Sequence, residues 1–221
     1  MDKRTRAVKI VRLLEAEYPL AVCSINYDEA WKLLFSTRLS AQCTDKRVNM
    51  VTPLLFKRYP TIEALAAADS SELEDIIRPC GLYKTKARDL KYGALYIIER
   101  YDGLIPDDMD KLLKIPGIGR KTANLVLGDV FGKPAIVADT HCIRLAGRLE
   151  LCASSDPYKV ELALSELVPA EDQSVFCHRC VYHGRAVCSA RSPHCGACCI
   201  ADLCPRVGVD PSVSQALHSH A

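Results

Sequence analysis

Apolar residues recur at helical spacing along nearly the whole chain, and strand-like alternation is almost absent. The opening stretch MDKRTRAVKIVRLLEAEYP carries Ala7, Ile10, Leu13 and Leu14 with charges between them, which predicts an amphipathic helix. Trp31, Leu34, Phe35 and Leu39 form a second apolar stripe. Thr52 followed by Pro53 reads as an N-cap and first helical position, and Ser71 with Glu74 reads as a capping box ahead of Ile76 and Ile77. Gly81 stops that helix. Asp107 is the expected cap of a short helix through Leu113 that Pro116 ends, while Asp156 and Pro157 open a helix carrying Val160, Leu162, Leu164 and Leu167. EDQSVFCHRCVYHGR reads as one more helix. Only AIVAD, residues 135–139, resembles a strand, and it is too short and isolated to build a sheet. The expected fold class is all-α.

Length adds that the 221 residues can bury a sizeable core in one large domain or two small ones. No apolar run of signal-peptide or membrane-span length occurs, so a soluble, cytoplasmic chain with no membrane partner is expected. In a reducing cytosol the twelve cysteines are buried thiols or metal ligands, not a disulfide framework. Cys23, Cys43, Cys80, Cys142 and Cys152 are scattered singly, as small core hydrophobes are. Cys177, Cys180, Cys188, Cys195, Cys198, Cys199 and Cys204 crowd one segment, which points to metal. Two ligand sets compete there. Cys188, Cys195, Cys198 and Cys204 give C-x6-C-x2-C-x5-C, whereas Cys177, Cys180, Cys195 and Cys198 give C-x2-C-x14-C-x2-C, close to a zinc ribbon.

The stretch LLKIPGIGRKTANLVL, residues 112–127, reads as the end of one helix, a glycine turn, and a second helix with a buried face of Ala123, Val126, Leu127 and Val130. Gly117 and Gly119 let the backbone turn sharply and bring amide N–H groups to a ligand at the positive end of a helix dipole. That is an anion site, or else an ordinary αα-hairpin. Lys121 stands two residues past the last glycine and beside Arg120, where like charge and the dipole both disfavour a protonated amine. The placement suits an amine nucleophile, and equally a second phosphate contact. Asp139, in IVADTHCIRLAGR, is an N-cap on local grounds and a candidate catalytic carboxylate.

LKIPGIGRKTANLVLGDVFGKPAIVADTHCIRLAGR resembles the helix-hairpin-helix and aspartate segment of endonuclease III, a family of base-excision DNA glycosylases. LSAQCTD at 39–45, IIRPCGLYKTKA at 76–87, VPAE at 168–171 and HGRAVCSARSPHCGACCIADLC at 183–204 fall in the family's order and spacing. The resemblance implies that Lys121 attacks C1′ of a damaged nucleotide, expels the base and forms a Schiff base whose β-elimination nicks the strand. It implies that Asp139 assists the lysine and stabilises positive charge on the sugar. Gln42 resembles the glutamine that fills the gap left by a flipped base, and Leu82 the wedge between neighbouring bases; read locally they are a helix-end glutamine and a core leucine. Cys188, Cys195, Cys198 and Cys204 match the family's [4Fe–4S] ligands at every interval, and Cys177, Cys180 and Cys199 are then surplus. Lys84, Lys86, Arg88 and Lys91 are candidate phosphate contacts, as is Arg191 in the cluster loop. The formal net charge of +2 is weak for a nucleic-acid binder, so the positive field must be local.

The implied fold is two helical domains flanking a DNA-binding groove, one of about residues 22–133 and one of 1–21 plus 134–221, with Lys121 and Asp139 facing each other. The implied activity is that of a bifunctional glycosylase and abasic-site lyase acting on oxidised pyrimidines in damaged double-stranded DNA, as a monomer in a bacterial cytoplasm at the nucleoid. Two rivals stay open. One is a monofunctional mismatch or adenine glycosylase, disfavoured by Lys121, since adenine glycosylases of the same superfamily lack the lysine and use a glutamate where this chain has Thr37; the other is a metal-stabilised DNA-binding module, which would need no chemistry at all. The chain departs from the family at Ser192 and His194, where further basic residues are frequent, at Ala138, and in its tail, where His218 and His220 are weak metal-binding candidates.

Overall fold

A computed structural model describes residues 1–210; His218 and His220 lie outside the described residues. Its α-helices, in chain order, are α1 (Lys3–Glu17), α2 (Ala30–Leu39), α3 (Asp45–Arg58), α4 (Ile62–Ala66), α5 (Ser70–Ile77), α6 (Tyr83–Tyr101), α7 (Met109–Leu112), α8 (Arg120–Asp129), α9 (Thr140–Arg148), α10 (Pro157–Leu167) and α11 (Gln173–Ala186). No strand occurs among the described residues, so the chain is all-α as expected. The strand-like residues 135–139 form no regular element; Ala135, Ile136, Val137 and Ala138 are buried, and the Val137 N–H donates to the Cys177 thiol at 3.2 Å. Among the described residues no helix is long and apolar enough to cross a membrane.

Most helix starts obey their caps, with three shifts from the sequence reading. Thr44, not Thr52, opens α3 by accepting from the Arg47 N–H at 3.2 Å, and Pro53 lies inside the helix. An interior proline costs about 3 kcal/mol. Here the buried face of Val48, Val51, Thr52 and Leu55 runs straight through it, and that packing offsets the loss. Asp69 caps α5 by accepting from the Glu72 N–H at 3.0 Å, while Ser71 only donates its hydroxyl to Asp69. Asp108, one residue after the expected Asp107, caps α7 through the Lys111 N–H at 2.9 Å. In α1 the buried places belong to Ala7, Ile10, Val11 and Leu14, leaving Leu13 at 40% exposure.

The chain divides into two compact units, Cys23–Phe131 and a discontinuous one formed by Met1–Val22 with the chain from Gly132 onward. In the continuous unit α2 is buried on nearly every side, through Trp31, Leu33, Leu34, Phe35, Ser36, Thr37 and Leu39, and α3, α6 and α8 pack around it. Helices α4 and α5 cover α6. In the discontinuous unit α1 packs on α10 and α11, and α9 packs on the same two helices. Buried Arg179 of α11 pairs with Glu15 of α1 at 3.1 Å, and Arg12 reaches Asp172 at 2.9 Å.

Lys86, expected at a phosphate, is fully buried in the continuous unit. Its amine donates at 2.8 Å to the carbonyl of Leu39 and at 2.8 Å to that of Cys80, and burial pushes it below the ordinary lysine range. A lysine has three donors, and two backbone carbonyls at the ends of separate helical segments use two of them here. Lys86→Met leaves both carbonyls unpaired and should lower the stability of this unit by roughly 2–4 kcal/mol, read as a lower urea midpoint. Lys91 is also tied down, donating to the Ala68 carbonyl at 2.7 Å. Lys84 and Arg88 are exposed.

Candidate functional site

The hairpin between α7 and α8 is built on Gly117. Its φ of +77° is left-handed, and a Cβ there would lie 2.5 Å from the Asp89 Cβ. Asp89 in turn is held by Arg38, whose Nε and Nη2 donate to it at 2.9 and 2.6 Å. This ion pair is the seat of the turn and carries no signal in the sequence. Gly119 differs: its backbone is extended, and a Cβ there meets nothing. It stands at the N-cap of α8 and offers no side chain to cap it, so the first amides of α8 lie at the positive end of the helix dipole. Arg120 and exposed Lys121 occupy its first turn. Gly117→Ala combines left-handed strain with overpacking against Asp89 and should cost about 2–5 kcal/mol, measured by urea unfolding, with weaker duplex binding.

Gln42 and Leu82, both exposed, share an unusual backbone, with φ of 54° and 49°. Left-handed conformations in such residues cost of order 1–3 kcal/mol and persist only where their surroundings fix them. Lys86 ties together the segments that lead into them, through the carbonyls of Leu39, which ends the helix before Gln42, and Cys80, which precedes Gly81 and Leu82. Leu82 is 55% exposed, which removes the core reading of that residue. Lys84 follows on the exposed first turn of α6. Gln42, Leu82, Lys84, Gly117, Gly119, Arg120 and Lys121 all lie in the continuous unit.

Asp139, Arg191 and the cysteine segment lie in the discontinuous unit. Asp139 is the N-cap of α9, its Oδ1 accepting from the Cys142 N–H at 2.7 Å, and it is part-exposed. The local reading thus holds, and one carboxylate oxygen is committed to it.

Cys188, Cys195, Cys198 and Cys204 line one small cavity, with Leu145 and Leu149 in its wall. None of the twelve cysteines is in a disulfide. Among the described residues no three His, Cys, Asp or Glu converge as they do on one metal ion. Four thiols spread around a cavity suit a polynuclear cluster better than a single zinc. Cys177 and Cys180, the other half of the zinc-ribbon alternative, are buried on α11 within hydrogen-bonding reach of Cys142 on α9, away from the cavity lining. The hydrogen bond with Cys142 and burial push the Cys177 thiol well up, so it is an inert packing group.

Two residues that the sequence reading passed over hold this cavity together. Arg148 donates to the Cys188 Sγ at 3.2 Å and to the carbonyls of Ser189 and Ala190 at 2.7 and 2.8 Å, tying the start of the cysteine loop to α9. His183 sits with Nε2 3.4 Å from the Cys198 Sγ and Nδ1 3.0 Å from the Tyr18 hydroxyl, and burial pushes it down to about 4, keeping it neutral. Their signal was positional: Arg148 follows Leu145, and His183 follows Phe176 and Cys180, at helical spacing on buried faces. Arg191 is exposed in the loop closed by the Ser189 hydroxyl donating to the Ser192 carbonyl at 2.6 Å.

Comparisons with known proteins identify the family of the chain. A family model described as HhH-GPD superfamily base excision DNA repair protein matches residues 35–170. A second, the iron-sulfur binding domain of endonuclease III, matches residues 188–204, which begin at Cys188 and end at Cys204. The chain is 47% identical over 205 residues to the endonuclease III of Synechocystis sp., covering 92% of this chain and 94% of that protein. It is 43% identical over 188 residues to the endonuclease III of Bacillus subtilis, covering 85% and 86%. A solved structure of a trapped endonuclease III–DNA covalent intermediate matches with a TM-score of 0.87 at 39% identity, covering 93% of this chain and 97% of that one. Hairpin, thiol cavity and these relatives together place the chain in the HhH-GPD superfamily of base excision DNA repair proteins and, within it, in the endonuclease III family.

Proposed function

We propose that the chain excises oxidised pyrimidines from duplex DNA and cuts the resulting abasic site, with Lys121 as nucleophile and Asp139 as its assisting carboxylate. The lysine nitrogen attacks C1′, the glycosidic bond breaks, and the base leaves with its electron pair. The nitrogen then loses a proton and the C1′–O4′ bond opens to give a Schiff base, which acidifies C2′, and loss of the C2′ proton expels the 3′ phosphate. The observation that carries this reading is Lys121 itself, an exposed amine on the first turn of α8 directly after a hairpin whose amides suit a phosphate. A relative trapped as a covalent intermediate with DNA supports it. Thr37 supports it too, because where a glutamate would serve a lysine-free glycosylase this side chain is buried and donates to the Leu33 carbonyl at 2.7 Å.

Gln42 fills the gap behind the flipped base and Leu82 separates its neighbours, both presented by exposed left-handed turns. The hairpin amides, Lys84, Arg120 and Arg191 contact phosphates without reading sequence, so binding weakens as salt rises. Cys188, Cys195, Cys198 and Cys204 hold a [4Fe–4S] cluster that fixes the loop carrying Arg191 and takes no part in bond chemistry. The acting species is a monomer in a bacterial cytoplasm, at the nucleoid, in line with its bacterial relatives. The test is a duplex carrying one thymine glycol. Base release with a nick at that site is expected, release without a nick means a monofunctional glycosylase, and binding without release leaves only a recognition module.

A further inference from the structure

The four thiols assigned to the cluster are not surrounded alike. The Cys204 Sγ faces the Arg148 carbonyl at 3.5 Å, an oxygen with no hydrogen to give. The Cys198 Sγ instead faces a ring nitrogen, His183 Nε2 at 3.4 Å. That ring is at 0% exposure, and its other nitrogen, Nδ1, lies 3.0 Å from the Tyr18 hydroxyl. Tyr18 is held in place from outside the cysteine segment. It is the C-cap of α1, where its own N–H donates to the Leu14 carbonyl at 2.9 Å, and its ring stands edge-on to His183 with centroids 5.8 Å apart.

The hydrogens available set the direction of both contacts. A cysteine sulfur bound to iron is a thiolate without a hydrogen, so it only accepts, and His183 Nε2 must carry the N–H. Burial disfavours a charged ring, so the neutral imidazole has no second hydrogen and Nδ1 is an acceptor. The Tyr18 hydroxyl therefore donates to Nδ1. That donation draws electron density from the ring and makes the Nε2 N–H a stronger donor to sulfur. Hydrogen bonds to the cysteine sulfurs are among the factors that set the reduction potential of an iron-sulfur cluster.

We propose that Tyr18 and His183 are positioning residues that direct a hydrogen bond onto the Cys198 sulfur and raise the reduction potential of the cluster. The bond favours the cluster that holds one more electron, because that state places more negative charge on sulfur for the N–H to meet. The inference rests on the [4Fe–4S] cluster assigned to Cys188, Cys195, Cys198 and Cys204. It makes the end of α1 part of the cluster's surroundings, through a side chain that lies far from the four cysteines in sequence.

The experiment measures the midpoint potential of the full, cluster-loaded protein by film voltammetry, with loading read from visible absorbance, for the native chain, His183→Leu, His183→Gln and Tyr18→Phe. His183→Leu fills similar space without a donor and should shift the potential downward. His183→Gln returns an N–H near the place of Nε2 and should recover most of that shift. Tyr18→Phe removes one hydroxyl and should shift the potential downward by less. An unchanged potential in His183→Leu overturns the proposal. A shift there that His183→Gln does not reduce and Tyr18→Phe does not share is a packing effect and overturns it too. If His183→Leu loads no cluster, Tyr18→Phe decides, a downward shift supporting the proposal and no shift overturning it. A native protein without a visible cluster band overturns the cluster assignment and this inference together, whereas a native band with unmoved potentials overturns this inference alone.

Discussion

Lys121→Ala is expected to abolish the covalent band that borohydride traps between the native protein and a duplex carrying thymine glycol. Excision should fall at least about 10³-fold, in the range found when a nucleophile is removed. Two further measurements separate this from damage. The side chain is exposed and only Lys121 changes, so the unfolding midpoint should stay within about 0.5 kcal/mol of native. Duplex affinity should change little, because the uncapped start of α8, Arg120 and Lys84 are all retained. A trapped band that persists in the variant would assign the Schiff base to another amine and demote Lys121 to a phosphate contact.

The second large effect is expected at Asp139, where two substitutions divide two roles. Oδ1 caps α9 through the Cys142 N–H at 2.7 Å. Asparagine caps about as well as aspartate, so Asp139→Asn keeps this bond and removes the charge, at a stability cost of no more than about 1 kcal/mol from the helix dipole. Excision should nevertheless drop about 10²–10⁴-fold, the contribution typical of a positioned carboxylate in proton transfer. Asp139→Ala should lose as much activity and a further 1 kcal/mol or so of stability with the cap. Native-like excision by the asparagine variant would leave Asp139 a cap and nothing more.

Local signals fixed much of the fold in advance, and their failures have local causes. Asp156 with Pro157 opened a helix as written, because an acceptor side chain and a preset φ act within one turn. Where two capping residues stood close together, as in Asp107 and Asp108 or Asp69 and Ser71, the pattern alone could not choose between them. Pro53 was misread because its cost is local while the packing of α3 that offsets it comes from residues far away in sequence. The burial of Lys86 was illegible for the same reason, since its two acceptors, Leu39 and Cys80, belong to other segments. At the site, the hairpin and the four-cysteine spacing were readable from sequence. The Asp89 seat under Gly117 and the left-handed turns at Gln42 and Leu82 exist only once α2, α5 and α6 have assembled.

The discontinuous unit has a consequence for synthesis. Helix α1 is complete at Glu17, but the helices that bury its face, α10 and α11, begin at Pro157 and Gln173. At roughly 5–20 residues per second, Ala7, Ile10, Val11 and Leu14 wait roughly 7–30 s for their partners, while residues 23–131 emerge and can close their own core. The nascent chain therefore carries a short apolar stripe near its start through most of translation. That stripe is the surface a ribosome-bound holdase would find, and polar substitutions at Ile10 or Leu14 should lower the yield of folded protein more than its rate of elongation.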